Sequence, residues 1–203
     1  MKTFICISFC SLLSFQLSAQ EPESDIEAST HYESVPDYPQ STTAGTLLGR
    51  IVDGFGFRYY WVSKDLRPKD LDYRPSSESR SSLETLSHIN YMVMFMENIL
   101  MGEVTAFPEP VLDKSYSNLR ANTLERIQSI SDKLQTMDEE SISKLAIKIK
   151  AGPDKMEFPI WHLLQGPIGD MYYHLGQVVS FRRTTANPID PTVQPFFGKR
   201  INP

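Results

Sequence analysis

Four stretches of this chain place apolar side chains every three or four residues, and local connections join each stretch to the next. That spacing gives every stretch one buried helical face. Four such faces in sequence favour an all-α four-helix bundle around a single core. The first stretch runs from about Thr43 to Lys64, with Leu48, Ile51, Val52, Phe55, Tyr59 and Val62 in register. The second opens at Ser81 and Glu84, which have the spacing of a capping box, and continues to about Met101 through Leu86, Ile89, Val93, Met96 and Leu100. A second stripe on that helix, His88, Met92, Phe95 and Ile99, is apolar apart from its histidine. The third spans about Ser117 to Met137, and the fourth lies between Pro159 and Arg183. Gly166-Pro167 divides the last stretch, because proline has no backbone N–H to continue a helical ladder.

Between the third and fourth stretches the period changes. Leu145 to Lys150 alternates, Ala151-Gly152-Pro153-Asp154 is turn chemistry, and Lys155 to Phe158 alternates again, which predicts a small β-hairpin before the last helix. From Thr184 the prolines at 188, 191, 195 and 203 require an extended C-terminal tail, whose Phe196-Phe197 is expected to pack back on the bundle. Gly49, Gly54 and Gly56 weaken the first helix and point to close contact with a partner helix. Phe57, Tyr60 and Trp61 give that helix apolar surface on more than one side, which makes a homodimer an expectation. Arg182-Arg183 complements the dipole at the end of the fourth helix.

The N-terminus reads as a leader. Met1-Lys2, an apolar run from Phe4 to Leu17 and the small residues Ser18-Ala19 have the pattern of a secretory signal peptide over residues 1–19. The run is too short for a comfortable membrane span, so the expectation is an exported protein, periplasmic or secreted, with no integral membrane segment once processed. Cys6 and Cys10 both fall in the leader, leaving no disulfide framework, thiolate nucleophile or cysteine-type zinc site. Residues 20–41 are acidic and proline-rich and read as a flexible lead-in, which leaves 42–203 as one helical domain with its tail. The net charge is −5 at pH 7, which argues against a nucleic-acid partner, since phosphate contacts need a basic surface.

Chemistry concentrates on the fourth helix. Asp170 and His174 are four residues apart, about 40° around a helix, so both side chains can reach one point. His88 from the second helix can close a three-ligand site inside a bundle. Two imidazoles and a carboxylate suit a divalent ion such as Zn²⁺, Ni²⁺, Fe²⁺ or Mn²⁺, with positions left for water or a small-molecule ligand. Gln177, one turn beyond His174, is placed to orient such a ligand from outside the donor set. The competing reading is an internal Asp170–His174 pair, with His88 bonded to a backbone carbonyl or to Asn90. His31 reads as solvated, and His162 lies before Pro167, with no fixed direction relative to Asp170. No independent general base is evident: Glu97 is nine residues from His88, about 180° around the helix.

In order and separation, Leu71-Asp72-Tyr73-Arg74-Pro75, Leu86-Ser87-His88-Ile89 and His174-Leu175-Gly176-Gln177 with Phe181-Arg182-Arg183 resemble the DinB/YfiT-like superfamily over residues 42–183. The resemblance implies a metal-binding four-helix bundle with three histidine ligands, one on helix two and two on helix four. His88 and His174 match the first and third. The middle position is Asp170, a departure that leaves a His-Asp-His set and changes metal preference. The superfamily includes thiol-dependent transferases and metal-dependent hydrolases. The resemblance thus implies a hydrolase-like enzyme acting on a small molecule, against which stands a non-catalytic bundle with a degenerate site, serving ligand binding or dimerisation.

Overall fold

The computed structural model describes residues 31–110 and 115–201, so the leader and residues 20–30 lie outside the described part. The described residues are mostly helical. In chain order they form α1 (Ala44–Val62), the short α2 (Pro68–Leu71), α3 (Ser82–Met101) and β1 (Val104–Phe107). Then come α4 (Tyr116–Gln135), the short α5 (Glu139–Ser143), β2 (Ala146–Ala151) and β3 (Asp154–Pro159). A π-helical turn, Leu164–Ile168, leads into α6 (Gly169–Thr184), and the tail carries β4 (Val193–Gln194) and β5 (Lys199–Arg200). Among these, no helix is long and apolar enough to cross a membrane.

The four long helices pack in a cycle: α1 on α4, α4 on α3, α3 on α6, and α6 back on α1. The predicted stripes form the core except at Ile51, which is exposed. Phe55, Leu86, Ile89, Val93, Ile127, Ile130 and Leu134 are each at most 2% exposed, and burial of side chains of this size stabilises by about 1.5–3 kcal/mol apiece. Ser81 and Glu84 make the predicted capping box. α1 can lie close to α4 because Gly45 has no Cβ; one built there would stand 2.4 Å from the Leu134 carbonyl oxygen.

Several expectations are corrected. The hairpin is present, with Ala151 paired to Asp154, but it belongs to a three-stranded sheet because β1 adds in parallel to β2. The segment from residue 31 is docked rather than flexible. Tyr32 is 1% exposed, its ring fills the space beside Gly56, and its hydroxyl donates to Asp53 Oδ1 at 3.1 Å. The Trp61 indole donates to the Glu33 carbonyl and the Tyr60 hydroxyl to the Glu33 carboxylate. Phe57, Tyr60 and Trp61 are therefore buried within the chain itself, which removes the basis for the dimer expectation. The tail forms a two-stranded hairpin, and the Val35 amide donates to the Gly198 carbonyl. Phe196 and Phe197 stand exposed instead of packing back. Asp138 caps α5 by accepting from the Ser141 amide.

Candidate metal centre

α3 and α6 are neighbours, and each carries its ligand candidates on the face turned to the other. The π-helical turn sets the start of α6. Proline at 167 cannot donate to a carbonyl one turn back, so the ladder widens across Gly166, whose φ of −83° and ψ of −107° are not helical. Asp170 then falls in the first turn of α6 and His174 one turn later.

His88, Asp170 and His174 come together as predicted: one donor atom from each lies within 4.8 Å of the others. His88 Nε2 is 3.1 Å from Asp170 Oδ2, and His174 Nε2 is 3.5 Å from Asp170 Oδ1. The two imidazoles meet edge to face, with ring centres 4.6 Å apart. Their side chains are 11% and 12% exposed, whereas Asp170 is 42% exposed, so the carboxylate is the open side of the group.

The outer ring nitrogens are engaged. His174 Nδ1 is 2.9 Å from Gln177 Oε1, so Gln177 engages the His174 ring itself. His88 Nδ1 is 2.5 Å from Glu109 Oε2. Each Nδ1 thus donates outward, which leaves each Nε2 lone pair for the centre, the arrangement that metal-ligating histidines adopt. Ligands about 2.0–2.1 Å from a tetrahedral ion stand about 3.3 Å apart; the 3.1 and 3.5 Å contacts run to different oxygens of Asp170, and with one donor atom per residue the group lies within 4.8 Å. By donor type, orientation and spacing, the group could hold a divalent ion.

Glu109, within Phe107-Pro108-Glu109-Pro110, is invisible to sequence reasoning. It sits 21 residues from His88 in no periodic pattern. The one available signal was a carboxylate held between two prolines. Arg80 approaches its other oxygen at 3.7 Å, and burial together with the Glu109 charge pushes the Tyr91 phenol up from its ordinary pKa. Two carboxylates around two imidazoles make the locality favourable to a cation. Asn90, the alternative partner for His88, accepts instead from the Thr123 hydroxyl. Glu97 is paired with Arg126, toward α4 and away from the site. His162 is not part of the ligand group; its ring stacks on Phe158.

Two openings reach the group. A cleft of about 410 Å³ is lined by Asp170, Tyr173, Met92, Phe95 and His162 among others. A smaller one of about 250 Å³ lies beside His174, Gln177 and Arg80. A cleft of about 450 Å³ between α1, α6 and the tail includes none of the three ligand candidates.

No protein-family model matches this chain, and none of the curated proteins matches its sequence. Its structure is similar to the crystal structure of a DinB-like protein, YjoA, from Bacillus subtilis, with a TM-score of 0.53 at 19% identity over 74% of this chain and 99% of that one. The fold is DinB-like. At that identity the likeness concerns the fold and not the chemistry, and the donor group itself is what suits an ion.

Proposed function

We propose that this chain is an exported DinB-like four-helix bundle that holds a divalent ion through His88, Asp170 and His174 and acts as a hydrolase-like enzyme on a small molecule. The observation that carries the reading is the pair of imidazoles anchored at Nδ1, by Glu109 and Gln177, with both Nε2 atoms turned to Asp170. A divalent ion supplies Lewis acidity and lowers the pKa of a bound water. The chain's own part is to hold three donors nearly preformed, to keep two of them largely shielded from solvent, and to leave access along the Asp170 side. Glu109 fixes the tautomer of His88 and strengthens its basicity, as carboxylate partners of ligating histidines do. The proposed export follows from the signal-peptide pattern of residues 1–19, which also separates the protein from a cytosolic thiol pool and favours hydrolysis over thiol transfer.

A second reading, a non-catalytic bundle with a degenerate site, has one observation in its favour. With a proton on each ring nitrogen, His88 can donate to Glu109 and directly to Asp170 Oδ2, which satisfies these groups with no ion. Metal content of the chain purified without an affinity tag, beside Asp170→Ala, separates the two. Near-stoichiometric metal lost in the variant is expected. Absence of metal after zinc, nickel, iron and manganese have each been offered would establish the second reading. Mass spectrometry of the N-terminus of protein recovered outside the cytoplasm tests export, with Gln20 as the expected first residue.

A further inference from the structure

We propose that the cleft beside Asp170 is a ring-binding pocket, and that it takes the aromatic part of a small amide or ester whose carbonyl end lies at the His88/Asp170/His174 group. The inference rests on the metal reading above and deepens it by naming a substrate class.

Asp170 belongs both to the donor group and to the cleft wall. As the most exposed of the three donors, it faces the route by which a ligand reaches them. Away from Asp170 the wall is apolar and polarisable: Met92 and Phe95, both buried, then Ile149 and the exposed Tyr173. Aromatic rings and a thioether favour an aromatic guest through edge and sulfur contacts beyond simple area burial. A volume of about 410 Å³ falls within the range of small-molecule sites.

The polar edge of the cleft is built by the π-helical turn. His162 and Gln165 line it, and His162 stacks on Phe158 with ring centres 4.5 Å apart and planes 14° apart. Gly166 leaves room for that ring, since a Cβ there would stand 3.1 Å from His162 Cδ2. His162 Nδ1 is 3.4 Å from Gln165 Nε2, and among the described residues its Nε2 has no hydrogen-bond partner. It is a held imidazole with an unused polar atom, suited to bonding the substituent that a ring carries into the cleft.

Hydroxamates mimic the carbonyl end and report without turnover. The chain loaded with cobalt(II) is titrated with acetohydroxamate and with benzohydroxamate, followed by the visible cobalt bands. The expected result is binding of the ring compound about tenfold or more tighter in the parent, reduced to within about threefold by Tyr173→Ala with the cobalt spectrum before titration unchanged. Equal binding of both compounds in the parent, or a ring preference that Tyr173→Ala leaves intact, would overturn the pocket while the cobalt bands uphold the metal site. No cobalt uptake at all would overturn the metal reading and the pocket together.

Discussion

α6 carries two constellations of charged groups that face inward, eight residues apart in sequence, and they use burial in opposite ways. Around Arg182 every contact ends on the protein's own backbone or a partner side chain. The guanidinium, in a residue 4% exposed, donates to the carbonyls of Trp61, Val62 and Lys64 at the end of α1 and to that of Asn187. Asn187 in turn donates to Asp70, which Arg67 grips with two further bonds. Around His174 and His88 the outer nitrogens are satisfied but the inner ones converge on a half-exposed carboxylate. A network that exhausts its donors holds the fold, whereas one that leaves convergent lone pairs beside a cleft has capacity for a ligand.

Arg182→Met leaves the last α1 carbonyls without their buried donor, and the expected loss is about 3–5 kcal/mol of stability in chemical denaturation. Metal bound per folded molecule is expected to stay the same; a fall in that ratio without a fall in stability would reverse the roles assigned to the two constellations.

Asp70→Asn comes next. Arg67 first, with help from Thr185, the Arg67 amide and Asn187, holds the Asp70 carboxyl well below the ordinary carboxylate range. A carboxyl whose folded pKa is depressed stabilises the protein above its unfolded pKa of about 3.9, and that contribution is lost as pH falls toward the folded value. The denaturation midpoint is therefore expected to drop on acidification below about pH 4. Asp70→Asn should cost about 1.5–3 kcal/mol at neutral pH and flatten the acid slope. A variant with the parent's acid slope would remove Asp70 from the account.

Glu109→Gln sharpens the other side. It keeps a hydrogen bond to His88 but withdraws the charge, so metal affinity should fall about 10–100-fold with little change in stability, because Glu109 is 30% exposed. The smallest effect is expected from Glu97→Gln, on the same helix but paired with Arg126: metal affinity unchanged and stability lowered by about 1 kcal/mol or less. An equal effect of both variants on affinity would mean that general charge, and not the contact to His88, sets the site.

The periodic features were legible along the chain. Heptad-like spacing located α1, α3 and α4 to within two residues at each end, and the i, i+4 relation of Asp170 and His174 placed two donors on one helix face. The alternating segments announced β2 and β3. What stayed hidden has no period. β1 gains its identity from a parallel partner more than forty residues away. Arg182 reads as an ordinary basic residue at its own helix end, yet it caps a different helix. Arg120 also reaches the end of α1 through Tyr60 and Ser63.

Local chemistry by itself therefore determined which segments become helices and which three residues face one another across α3 and α6, because side-chain direction follows from helical geometry and short connections. Only the tertiary structure decided that Glu109 orients His88, that Tyr32 and Glu33 close over the aromatic face of α1, and that a cleft opens beside Asp170. Those contacts join residues from non-periodic loops to distant helices. Their formation depends on how the packed helices leave space and unpaired polar groups, a property of the assembled core that no local window contains.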